Sequence, residues 1–147
     1  MRQVTVIIHK SGIGEIGFII NRDYLDGITK RIMRSWLNQN FPYSWQLDLN
    51  GDARGNVRDE NVFDILQGVS IALFSSGQAD ARYISLQGTR AEKYNHLLDD
   101  NLRKKSQQVH PAPPLFRFAA QTEKGDLRTA EFQRFYPINE VFPAYSS

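Results

Sequence analysis

The chain has 147 residues, 41% apolar and 23% charged, which is enough to build the core of one domain and argues against disorder. Its 18 Lys and Arg stand against 16 Asp and Glu, and a net charge of +2 is too weak a field for a strong polycation. The absence of cysteine excludes disulfides, thiolate nucleophiles and Cys-ligated zinc.

The start, "MRQVTVIIHKSGIGE", carries one Arg and a short apolar run broken at His9-Lys10, so it does not read as a secretory leader. No apolar run reaches the length of a membrane span, and a cytoplasmic protein is expected. Residues 4–8, "VTVII", and 16–20, "IGFII", read as the two arms of a β-hairpin around "SGIGE". Residues 27–41 place Ile28, Ile32, Met33, Trp36 and Leu37 at helical spacing, and Pro42 ends the helix. "SWQLDL", 44–49, alternates Trp45, Leu47 and Leu49 with Ser44, Gln46 and Asp48, the pattern of a half-buried strand.

After a polar loop, Val62, Ile65, Leu66, Val69 and Leu73 match a helix face over 60–77; a break at Gly68 into a strand is the competing reading. Residues 81–87 predict a strand. Residues 89–108 predict a long helix, with Thr89 and Glu92 forming a capping box and Tyr94, Leu97, Leu98 and Leu102 an apolar stripe. Arg103, Lys104 and Lys105 fall in its last turns, where cations suit the helix dipole. A Pro-rich connector at 110–114 leads to a second hairpin, 115–121 with 127–136. The expectation is a single α+β domain over 1–147, with a mainly antiparallel sheet of about six strands and about three helices.

"DLNGDARGNVRD" sets Asp48, Asn50, Asp52 and Asp59 at positions 1, 3, 5 and 12 of a calcium-loop template. Over these twelve residues it resembles the loops of dockerin-type modules, which implies calcium as a ligand. Three features depart from the template. Ala53 replaces the turn glycine, Gly55 replaces the hydrophobic residue at position 8, and Arg54 and Arg58 sit inside the anionic cage. A strand-to-helix loop with Asp59 as N-cap accounts for the same residues. No metal and no cofactor are therefore expected.

A phosphodiester-cleaving site would need His9 and His110 as acid and base, with Lys10 holding phosphate. His96 with Asp99 and Asp100 has ligand spacing on a helix but lacks the further ligand a metal site needs. "SGIGEIG" is not a P-loop and precedes a strand, and "FSSGQ" is not a nucleophile elbow.

The last hairpin interleaves cations and rings, with Arg128, Phe132, Arg134 and Tyr136 sharing one strand parity and Arg117 on the facing arm. With Lys30, Arg31 and Arg34 from the first helix, these residues suit a partner with stacking rings and phosphates, such as single-stranded nucleic acid. The competing account makes the rings core and the cations a solvated rim. Exposed sheet edges equally suit a protein partner or a homodimer. The expected function is a small non-catalytic binding or regulatory protein acting on a protein or nucleic-acid partner. The alternatives are a nuclease-like enzyme built on His9 and His110, and a small-molecule sensor.

Overall fold

The structure is a computed structural model that describes residues 14–52 and 58–120. Among these residues one mixed sheet of five strands is backed by two α-helices and three 3-10 turns. The chain runs β1 (Glu15–Asn21), two 3-10 turns (Arg22–Tyr24 and Ile28–Lys30), α1 (Arg31–Asn40) and β2 (Tyr43–Asn50). It continues through β3 (Val69–Ser75), β4 (Asp80–Ser85), α2 (Arg90–Leu97), a third 3-10 turn (Leu102–Lys105) and β5 (Gln107–Gln108).

The spatial order is β1-β3-β2-β4-β5. β3 lies antiparallel between β1 and β2, and β5 is antiparallel to β4. β2 and β4 run parallel, so the sheet is mixed: three of its four pairings are antiparallel as expected, and the fourth is not. The short link between β3 and β4 makes this possible. β3 ends with Ser75 opposite Tyr43, and β4 begins with Asp80 opposite the same residue on the other side. The chain crosses the start of β2 within four residues, tied by the Asp80 amide to the Pro42 carbonyl at 3.2 Å.

Residues 16–20 form β1 as predicted, pairing with β3; residues 4–8, the other arm of the expected hairpin, lie outside the described residues. The helix over 27–41 appears as a 3-10 turn followed by α1, which stops before Pro42. The long helix expected over 60–77 is absent, and the competing reading, a break at Gly68 into a strand, is the one the chain adopts. Residues 69–75 are β3, and the chain before them is irregular. The reason lies at Gly68, where a Cβ would come within 2.8 Å of the Asn50 carbonyl oxygen and 2.4 Å of the Arg22 side chain. The chain must pass tightly between those two groups to enter the sheet.

The helix expected over 89–108 ends at Leu97. Its capping box is present, with Thr89 and Glu92 bonded reciprocally. Its end is set by Asp99, whose carboxylate accepts the Asn101 amide at 2.9 Å and so offers the backbone a turn instead of a further helical bond. Residues 115–120, the described part of the first arm of the predicted second hairpin, are irregular rather than strand; residues 127–136 lie outside the described residues.

Two clusters fill the faces of the sheet. Under α1, Tyr24, Leu37, Phe41, Phe74 and Phe118 pack together with rings 5.7–6.2 Å apart. Under α2, Leu47, Leu49, Val62, Val69, Leu86 and Leu102 form the second cluster. β2 is the central strand, so it is buried on both faces rather than half-buried. Its polar residues Ser44, Gln46 and Asp48 are all within 1% of full burial. Asp48 is compensated by a bidentate pair from Arg22 at 2.7 and 3.0 Å and by the Tyr83 hydroxyl at 3.0 Å. Gln46 accepts the Tyr24 hydroxyl. A buried charge that costs much alone becomes tolerable once paired and hydrogen-bonded in this way.

Candidate nucleic-acid interface

The β4–β5 edge of the sheet is built from a stretch with one-sided charge. Residues 101–120, "NLRKKSQQVHPAPPLFRFAA", hold Arg103, Lys104, Lys105 and Arg117 and no Asp or Glu. Leu102 is buried in the cluster under α2 and anchors the 3-10 turn, so Arg103, Lys104 and Lys105 are driven outward and are exposed. The Arg103 guanidinium lies 5.7 Å from the centre of the Tyr43 ring, within cation–π range. Lys104 meets the Asn101 side chain at 3.1 Å, and Lys105 meets Asp99 at 2.6 Å. Such exposed pairs hold a cation weakly and release it to a stronger anion.

Two residues further on, β5 sets Gln107 opposite Tyr83 and Gln108 opposite Arg82. Arg82 is paired with Asp80 at 2.8 Å. Val109 then turns inward, its amide bonded to the Ala81 carbonyl at 2.8 Å. The connector returns along the edge, and Phe118 closes it by donating its amide to the Leu25 carbonyl at 2.8 Å.

Arg34 fixes the shape of this connector. Its Nε donates to the carbonyls of Leu115 and Phe116 at 3.0 Å each, and its Nη2 to Leu115 at 2.6 Å. Its Nη1 reaches the carbonyls of Tyr24 at 3.0 Å and Gly27 at 2.7 Å. Phe116 adopts a left-handed φ of 48°, a conformation that costs a non-glycine residue energy and persists because neighbours hold it. Arg34 was expected as an outward cationic contact; it is fully buried and binds backbone instead. Burial pushes its guanidinium down to about 10, with the nearby Asp26 opposing the shift.

Between β5 and the connector lies a cleft of about 340 Å³. Val109, Pro113, Leu115 and Ala119 give it apolar walls, and Gln107, Gln108, His110 and Arg117 supply its polar groups. A second groove, of about 350 Å³, runs between α1 and the same connector, with Arg31, Trp36 and Phe116 on its lining. Pro114 faces both, so Arg31 and Arg117 are brought to opposite sides of one proline. Lys30 is exposed at the end of the preceding turn. Of the other expected contacts, Arg128, Phe132, Arg134 and Tyr136 lie outside the described residues, as do His9 and Lys10. His110 is exposed, and among the described residues no second histidine or carboxylate lines the cleft with it.

The calcium-like loop has other duties. Asp48 is occupied by Arg22 and Tyr83, as described above. Asn50 donates its amide to Ser85 Oγ at 2.8 Å and to the Leu86 carbonyl at 3.0 Å. Asp59 meets Lys93 Nζ at 2.8 Å and accepts the amides of Gly51 and Gly88 at 2.7 and 3.0 Å. Burial alone would raise the Asp59 carboxyl; Lys93 and the two amides outweigh it and hold it below the ordinary 3.8. Lys93, fully buried on α2, also donates to the carbonyls of Leu49 at 2.6 Å and Glu60 at 2.5 Å. Asp52 is partly exposed on the last residue before the undescribed stretch. Among the described residues no group of three or more His, Asp and Glu is placed to hold a metal ion, and no helix is long and apolar enough to cross a membrane.

No protein-family model matches the chain, and no curated protein matches it. Solved structures do. The chain is similar to DrdV in its complex with DNA, with a TM-score of 0.60 and 20% identity, over 69% of this chain and 11% of that one. It is similar to the ATP-dependent Type ISP restriction–modification enzyme LlaBIII bound to DNA, with a TM-score of 0.63 and 24% identity, over 71% of this chain and 8% of that one. It is similar to a nuclease-deletion mutant of the Type ISP restriction–modification enzyme LlaGI in complex with a DNA substrate mimic. There the TM-score is 0.62 and the identity 21%, over 76% of this chain and 10% of that one. At these identities the likeness is one of fold, and the chain spans about a tenth of the length of the structures it matches.

Proposed function

We propose that this chain is a non-catalytic DNA-binding unit whose contact surface is the β4–β5 edge. One observation carries the reading. Twenty consecutive residues free of carboxylate, 101–120, include the edge strand β5 and expose Arg103, Lys104 and Lys105 just before a cleft with polar groups. Phosphate contacts supply most of the affinity of such a surface, and cations clustered on one face serve it far better than net charge does. Arg31 and Arg117 extend the surface along the connector, and Lys30 is an exposed cation in the turn before α1. Arg128, Phe132, Arg134 and Tyr136, even-numbered positions of one stretch of sequence, would add cations and rings to the surface. The three similar structures were each solved with DNA or its mimic, which supports DNA as the nucleic acid. One of them matches although its nuclease has been deleted, which supports a binding role over the nuclease-like alternative of His9 and His110.

The test is retention of labelled duplex and single-stranded DNA by fluorescence anisotropy between about 50 and 200 mM salt. Binding that weakens steeply with salt, and no loss of substrate over hours, is the expected result. Lack of binding to either form at the lowest salt overturns the proposal.

A protein partner is the second reading, and one observation favours it. Ile28 in the preceding 3-10 turn and Ile32 and Trp36 on α1 are spaced four residues apart and are 41%, 74% and 38% exposed. Such a stripe suits docking onto a larger protein, consistent with the small share of their chains that the similar structures devote to this fold. Salt-insensitive co-purification abolished by Ile32→Asp would favour this reading.

A further inference from the structure

We infer that the cleft between β5 and the connector is a nucleobase site, taking one unpaired base of a bound DNA strand. The inference rests on the DNA-binding reading and names what one part of that surface holds. Its volume of about 340 Å³ falls at the low end of the roughly 300–1,000 Å³ typical of small-ligand sites. That scale suits a single ring system and its sugar better than a folded peptide segment.

The lining matches the chemistry of a base. Val109, Pro113, Leu115 and Ala119 offer an apolar wall to a π-face. Gln107 and Gln108 both line the cleft, and as neighbours on a strand they point to opposite faces of the sheet, so one amide or the other is set toward it. Each amide is both donor and acceptor, the combination that the polar edge of a base requires. Neither amide, nor the His110 imidazole, makes a hydrogen bond within the described residues, so these groups are not committed to holding the fold. Arg117 also lines the cleft and gives it positive charge, which suits the phosphate attached to a base. No carboxylate among the described residues lines the cleft to repel that phosphate.

A base reaches such a cleft only when it is out of the stack, so strands with accessible bases should be preferred. The test compares a single-stranded oligonucleotide with an abasic strand of equal length and charge, on the intact chain and on the Gln107→Ala/Gln108→Ala variant. Both glutamines are exposed, so the double variant keeps the fold, which circular dichroism checks. The expected result is a roughly tenfold weaker hold on the abasic strand, a difference lost in the variant. Equal binding of the two strands overturns the base site and leaves the DNA reading standing. A preference that survives in the variant places the base elsewhere and also overturns it. Failure to bind either strand removes the DNA reading, and the base site with it.

Discussion

Arg34 and Asp59 show two ways in which a charged side chain is used as a building part. Arg34 has no carboxylate partner within bonding range among the described residues, and its charge is spread over four backbone carbonyls. Lysine carries one point donor group and cannot reproduce that planar fork. Arg34→Lys is therefore expected to cost about 2–4 kcal/mol in denaturant unfolding, several charge-assisted bonds being lost at a buried site. It should also free residues 115–118, visible as faster amide exchange there than in β2 and β3. The sequence placed Arg34 on a helix with the other cations, and nothing in its spacing separated it from Arg31. What distinguishes them is the carbonyls that come from 81 residues away, which no local pattern reports. Asp59 gives a prediction in pH. Its carboxyl is held below 3.8 in the folded state, so its contribution is complete above the unfolded value and is lost as pH falls through the folded one. Asp59→Asn should be less stable than the parent near neutral pH, and the gap should close as pH drops below about 4. A gap that persists unchanged in acid would mean that the carboxylate charge is not what binds this loop to Lys93.

At the scale of elements, local chemistry was readable wherever a short-range signal decided the outcome. The Thr89–Glu92 box starts α2 as predicted, and Pro42 stops α1. Signals failed where tertiary contacts decided. Val62, Ile65, Leu66, Val69 and Leu73 fit a helix by spacing alone, yet Leu66 is 72% exposed and Val69 is buried in β3. Periodicity does not separate a buried strand from a helix over so short a run, and β2's double burial hides behind its alternation in the same way. Gly68 is the hinge of the first failure, and it is testable. Alanine there meets the Asn50 carbonyl, which belongs to the backbone, as well as the flexible end of Arg22. Gly68→Ala should destabilise by about 1–3 kcal/mol through overpacking, and its effect should fall on the β2–β3 pairing and the Arg22–Asp48 bridge. Gly51 is more constrained still. Its φ of 77° is left-handed and a Cβ would lie 2.5 Å from Asn61 Cα, so the "NG" that suggested a calcium loop is a turn demanded by the end of β2.

Over the whole molecule, function depends on distribution rather than on total charge. A net charge of +2 argued against nucleic acid, but the average conceals an edge with four cations and no carboxylate over 101–120. That run was visible in the sequence; what the fold adds is that the 3-10 turn leads straight into the edge strand β5, with the Leu102 anchor turning three cations outward. The quantitative consequence is a salt slope. Each phosphate neutralised releases condensed counterions, and the logarithm of affinity falls with the logarithm of salt by about 0.9 per contact on duplex DNA. Lys105 must leave Asp99 to make such a contact, but that pair is exposed and cheap to break. Alanine at Arg103, Lys104 and Lys105 together should therefore lower the magnitude of the slope by about 2–3 and weaken all sequences alike. Lys93 cannot serve as a control, because it is buried and bonded to the Leu49 and Glu60 carbonyls. Arg58 and Arg90, exposed or half-exposed near the opposite end of β4, can. Their alanine variants should leave the slope within experimental error of the parent. A slope that drops by the same amount per cation removed in both sets would mean diffuse attraction to the whole surface, and the β4–β5 edge would lose its claim to be the contact face.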